Sequence, residues 1–180
     1  MRPHAPGFSL PSRLLHWLMA ALILAMLFIG VGMVATVSDR YVLLLSIHRP
    51  LGVAILVLAA LRLVNRVIHP PPPLPASLPP LQRVAAHLSH VLLYVLMFAI
   101  PLIGWGMQSA GGYPIVLYGQ AQLPPILPHS AALYAPLRAA HTVLAFLLFA
   151  TVLAHFAAAL YHGLIRRDGV LAAMTSGKPQ

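Results

Sequence analysis

The chain has 180 residues, of which 60% are hydrophobic and 7% charged, against about 25% charged in an ordinary soluble domain. Eleven Lys and Arg face only two acids, Asp39 and Asp168, for a formal net charge of +9, and ten histidines accompany no cysteine. So little polar surface excludes a soluble enzyme, the missing cysteine excludes disulfides, thiolate catalysis, iron–sulfur clusters, cysteine zinc sites and covalently attached haem, and two acids build neither a paired-carboxylate hydrolase nor a calcium site.

About 20 mostly apolar residues cross a membrane as a helix. The first such stretch, about 14–37, carries no charge. It is longer than a signal-peptide core and no clean small-residue cleavage site follows, so a retained helix is expected. The second, about 42–68, has Arg49 near one end and Arg62 and Arg66 near the other, where arginines snorkel to the interface. Pro50 either opens a helical turn there or kinks the helix. Residues 69–80 hold seven prolines and read as a stiff polyproline-like link. The run from Val84 up to Arg138 is again uncharged, but only about 84–107 reads as a third span, because Gly104, Gly106, Gly111, Gly112 and Pro114 then break up the run. The loop that follows, with Tyr113, Tyr118 and Tyr134, suits the membrane–water interface and a short interfacial helix. The fourth span is about 138–165. The expectation is one all-α domain over residues 1–180, an integral membrane four-helix bundle.

With both termini cytoplasmic, that side holds Arg2, Arg13, Arg62, Arg66, Arg83, Arg166, Arg167 and Lys178, and the outer side only Arg40, Arg49 and Arg138. This is the positive-inside pattern. The basic excess reads as topology and contact with membrane lipid. Cations scattered over both sides of four spans speak against nucleic acid.

His4, His69 and His129 fall in the tail, the link and the outer loop, where surface roles suffice. The other seven, His16, His48, His87, His90, His141, His155 and His162, lie within or at the ends of spans. Ionisable groups in a membrane are costly and usually face the bundle interior with a partner. One such histidine is explained by packing; seven are not. His141 and His155, 14 residues apart, differ by about 40° around a helix axis and by about 21 Å along it. That is too far for one metal and suits two centres stacked across the bilayer. Depth places His48 with His141 in an outer layer. In an inner layer it places His155 with His16, His87 or His90. Each layer offers histidines on different helices, able to grip a flat macrocycle from both faces. A three-histidine zinc site leaves the two layers unexplained. An ion transporter lacks its usual intramembrane carboxylate, since Asp39 and Asp168 lie outside the spans. A non-redox transporter with a histidine proton relay is the reading of a different class.

The chain resembles the bacterial cytochrome b561 family, small di-haem membrane proteins that include superoxide oxidase. The resemblance covers nearly the whole chain. It is carried by Arg13 to Trp17, Ile47 to Gly52, and Leu61 to Leu63 before the proline link. It continues through Ala86 to His90 with Leu93 and Tyr94, Pro101 to Trp105, and Gly111 to Pro114. It ends with Ala140 and His141, Leu153 to His155, Ala157 to His162, and Arg167 to Leu171. It implies two b haems, the inner on His16 and His155 and the outer on His48 and His141. The choice of His16 over His87 and His90 comes from the resemblance. It also places His162 where family members bind quinone near the cytoplasmic face, with Arg83, His87 and His90 as further candidates.

The activity implied is a superoxide:quinone oxidoreductase of the bacterial inner membrane. Superoxide would be oxidised to O2 at the outer face and ubiquinone reduced near the cytoplasmic face. Arg40, Arg49 and Arg138 would steer the anion or pair with haem propionates. The alternative is an electron-transfer subunit whose donor is a dehydrogenase, a hydrogenase or a periplasmic cytochrome.

Overall fold

The computed structural model describes residues 7–177, apart from the side chain of Tyr118. His4, Arg2 and Lys178 lie outside the described residues. Four helices, each long and apolar enough to cross a membrane, make up the body. They are α1 (Leu10–Ala35), α2 (Asp39–Ile68), α3 (Pro80–Gly111) and α4 (Ala131–Leu160), and a π-helical turn (Tyr161–Arg166) prolongs α4. A short helix, α5 (Val170–Thr175), follows.

Local chemistry sets the helix ends. The Ser9 hydroxyl accepts the Ser12 N–H ahead of α1, and Ser130 accepts Leu133 N–H ahead of α4, each satisfying one free donor of a first turn. Pro80 opens α3 at a position that needs no N–H. Gly112, with φ 72°, closes α3 in the left-handed region. The run of prolines keeps residues 69–79 out of any helix.

Two expectations are corrected. Gly104 and Gly106 do not end α3, which runs through Pro101 to Gly111 because α4 and the loop ahead of it cover that stretch: His141 packs on Gly104, Leu127 on Gly106, and Ser109 and Ala110 accept the N–H groups of Ile126 and Ser130. The outer loop holds no interfacial helix. It forms a hairpin of β1 (Ile115–Tyr118) and β2 (Ala121–Leu123), antiparallel and turned at Gly119 with φ 54°. Trp105 Nε1 donates to Pro124 O at 2.9 Å and ties the loop back to α3. The fold is thus mostly helical with one small hairpin. Pro50 neither opens nor ends α2, which is continuous through it.

α1 packs on α2 and α3 on α4, with α2 joining the two pairs through α3. The core is thin and apolar. Met19, Ala59 and Met97 form one buried cluster, and Leu27, Leu96 and Leu148 another. Large apolar side chains on all four helices face outward, among them Phe28, Val57, Val95, Val143 and Phe146. Lipid is the medium that accepts such a surface.

The two ends of the described chain meet at the proline-link end of the bundle. Phe8 N–H donates to Ala173 O at 3.3 Å. Trp17 Nε1 donates to Met174 O at 3.2 Å, and Arg13 donates to Thr175 O. α5 is thereby folded against the start of α1.

Candidate functional site

Two histidine pairs occupy opposite ends of the apolar core. At the link end, the His16 ring on α1 and the His155 ring on α4 have centroids 6.3 Å apart. At the hairpin end, His48 on α2 and His141 on α4 are 6.1 Å apart. Leu148, in the buried core, lies seven residues from each α4 histidine. All four imidazoles are half-buried.

The hairpin-end pair is held in place from α3. His141 Nδ1–H donates to the Ile100 carbonyl at 3.1 Å. This fixes the tautomer and leaves Nε2 as the free nitrogen. Gly104, one turn further along α3, makes room: a Cβ there would sit 3.2 Å from His141 Cε1 and 3.3 Å from Nδ1. His48 Nδ1 is buried with no hydrogen-bond partner among the described residues.

The link-end pair has a third imidazole beside it. His90 lies edge-on to His155 with centroids 5.3 Å apart, and its Nδ1–H donates to Ala86 O at 2.6 Å. His87, three residues earlier, is exposed. Arg62 Nε donates to Tyr94 Oη at 3.2 Å, and Arg66 stacks over the Tyr94 ring at 5.9 Å.

The remaining predicted residues are spread out. Arg83 is engaged with the proline link, donating to the carbonyls of Leu78 at 3.0 Å and Ala76 at 2.6 Å. Arg49 reaches Pro114 O at 3.5 Å, just before β1. Arg40 and Arg138 are exposed near the hairpin end. His162 sits in the π-helical turn, where its Nδ1–H donates to Asp168 Oδ2 at 2.7 Å. Arg166 Nε donates to the same oxygen at 3.0 Å, and Val170 N–H to Oδ1 at 3.4 Å. Burial by itself would raise the Asp168 carboxyl, but the hydrogen bonds from His162, Val170 and Arg166 outweigh it and hold it below the usual carboxylate range.

A sequence model of the prokaryotic cytochrome b561 family matches residues 7–177. The chain belongs to this family. Cytochrome b561 homolog 2 of Escherichia coli (strain K12) is 32% identical over 170 residues, which are 93% of this chain and 90% of that one. Cytochrome b561 homolog 1 of the same strain is 28% identical over 93% of this chain and 96% of its own. A probable superoxide oxidase CybB of Yersinia pestis is 31% identical over 136 residues, 73% of this chain and 74% of that one. This cytochrome b561 is therefore a multi-pass bacterial membrane protein that transfers electrons and uses b-type haem.

The histidine pairs fit that cofactor. No group of three or more His, Asp or Glu able to hold a metal ion occurs among the described residues. Haem needs no such group, because the macrocycle supplies four donors and protein side chains only the axial ones. A metal–imidazole bond of about 2.0–2.1 Å, with the nitrogen about 1 Å from the ring centre, separates two axial ring centres by about 6 Å. Both pairs have this separation, whereas His90 and His155 at 5.3 Å are closer.

Sequence reasoning missed Asp168 and the Ile100 carbonyl. The carbonyl leaves no trace in a sequence. Asp168 had a signal: it is one of two acids in the chain and lies six residues from His162.

Proposed function

We propose that this cytochrome b561 carries single electrons across the bacterial inner membrane through two b haems, from superoxide at the hairpin end to ubiquinone at the link end. The supporting observation is the two imidazole pairs, 6.1 and 6.3 Å apart, on either side of one apolar core. His48 and His141 would hold the outer haem and His16 and His155 the inner one. The haems supply reversible one-electron chemistry, while the protein supplies ligation, orientation and electrostatics. Arg13, Arg62, Arg66, Arg83, Arg166 and Arg167 all lie at the link end, which supports a cytoplasmic placement of that end.

Each chain group has a defined task. The Ile100 carbonyl orients His141. Arg40, Arg49 and Arg138 give the outer end a positive field that draws in a small anion. Two superoxide ions each give up one electron and leave as O2. The quinone takes both electrons and two protons, near His162. The relative named probable superoxide oxidase supports this choice of donor. A second reading, a redox protein docking at the outer end, draws on the exposed Tyr113 and Ile126 that flank the hairpin.

The test is rapid mixing of the purified, haem-loaded protein with superoxide and a ubiquinone analogue. Quinol formation and superoxide loss faster than the spontaneous background are expected. A rate equal to background refutes the superoxide reading, and a preparation without a Soret band refutes the haem reading altogether.

A further inference from the structure

The His162–Asp168 contact is built by unusual backbone. The helix widens to a π turn over Tyr161–Arg166, a feature frequent at functional sites. The chain then reverses through Arg167, with φ 51°, and Gly169, with φ 81°. Arg167 is the only non-glycine residue at positive φ among the described residues, a strained conformation that persists only where surroundings impose it. Its effect is to turn the Asp168 carboxylate back onto the ring of His162. Both side chains are largely shielded, at 9% and 15% exposure.

Next to this pair lies a cavity of about 160 Å³, lined by His162, Arg167, Leu171, Ala172 and Thr175 among others. It has room for a single ring rather than a drug-sized ligand, whose pockets run to about 300–1,000 Å³. Leu164 and Ile165, on the same turn as His162, are 64% and 72% exposed. A ring held here would keep an apolar tail in the lipid beside these two residues. Among the described residues, the charged and titratable groups about His162 and its cavity are Tyr161, Arg166, Arg167 and Asp168, with Arg13 of α1 donating to the carbonyl of the cavity-lining Thr175. α5 brings only Leu171, Ala172 and Thr175 to the cavity.

We propose that Asp168 is the positioning residue of a proton-delivering site, holding His162 by Nδ1 so that Nε2 serves a quinone head group in this cavity. The proposal rests on the electron-transfer function proposed above. When His162 is protonated on both nitrogens, the carboxylate carries the Nδ1–H and balances the charge. Nε2–H then passes to a carbonyl oxygen of the quinone as that ring accepts an electron. An O–H bond forms, the Nε2–H bond breaks, and the imidazole keeps its Nδ1–H on Asp168. Water at the cytoplasmic side restores the proton before the second transfer. The electrons are the two delivered one at a time through the haems.

The test uses full-length, haem-loaded protein reduced with dithionite and mixed rapidly with a short-chain ubiquinone or with ferricyanide, which takes an electron but no proton. Asp168→Asn is expected to slow haem reoxidation by saturating quinone on the order of tenfold or more, with ferricyanide reoxidation unchanged. Asp168→Glu is expected to restore part of the quinone rate. His162→Gln keeps an N–H for Asp168 but has no proton to deliver, and is expected to show the same selective loss. A wild-type quinone rate in either Asp168→Asn or His162→Gln overturns the proposal. So does equal slowing with both acceptors, which marks a structural defect. If wild-type haem is not reoxidised by quinone at all, the quinone half of the proposed function fails instead, and this site with it. If Asp168→Asn loses haem, His162→Gln decides.

Discussion

Gly104 gives the sharpest test of the outer centre. The His141 ring lies where a side chain on Gly104 would go, with the nearest ring atoms 3.2 and 3.3 Å from the Cβ position. The ring cannot retreat freely, because Nδ1 is tied to Ile100 O at 3.1 Å on the same helix. An alanine forces a shift of a few tenths of an ångström and stretches that bond. A valine adds two methyls in the same place. Overpacking of this kind costs about 1–3 kcal/mol, and the orienting hydrogen bond contributes about 1 kcal/mol more. Together they lower outer-haem affinity by about thirtyfold to several hundredfold, at 1.4 kcal/mol per factor of ten. The assay is haem per chain from the pyridine haemochrome spectrum, with a redox titration to count distinct centres. Gly104→Val is expected to keep one haem, and the His48→Ala, Gly104→Val double variant to lose no further haem. Gly104→Val with two haems and unchanged midpoints refutes the reasoning. So does loss of the inner haem in its place.

The other predictions concern the remaining groups. His16→Ala and His155→Ala should each remove the inner haem, and His48→Ala and His141→Ala the outer one. His87→Ala and His90→Ala should keep both, which spectra and haem content check. Superoxide consumption should slow as ionic strength rises, and Arg138→Gln should flatten that dependence, since screening acts on the steering field. The lowered Asp168 pKa sets an acid limit on the reversal after α4. Its contribution is complete above the unfolded aspartate value, about 3.9, and is lost as pH falls through the folded value. Protection factors over residues 170–175, with the intrinsic pH dependence of amide exchange divided out, should therefore fall in acid, and Asp168→Asn should remove that fall.

The helical body was legible because hydropathy is a strong signal: the uncharged run after Leu14 becomes α1, and the prolines from Pro70 onward leave no other choice than a link. The histidine layers were legible because the 14-residue spacing of His141 and His155 returns to one helix face. Glycine was over-read. In water Gly104 and Gly106 weaken a helix, but here close packing partners surround them, and lack of a side chain is what His141 and Leu127 require. The β1–β2 hairpin was hidden by short strands whose pairing depends on a left-handed Gly119. The contact of Asp168 with His162 depends on the backbone reversal at Arg167, which composition and period do not report.

Both imidazole pairs draw one member from α4. The spacing of the two pairs is therefore a covalent property of one helix rather than a result of how four helices dock. Breathing of the bundle can alter the grip on each centre yet hardly changes the gap between them. α4 serves as a ruler for the two pairs, and in the proposed two-haem path the passage of an electron would be buffered against the soft motions of a protein that has little buried core. Inserting a single residue between His141 and His155 would turn one imidazole by about 100° away from its partner, whereas lengthening the α1–α2 or α3–α4 connection should leave the gap as it is.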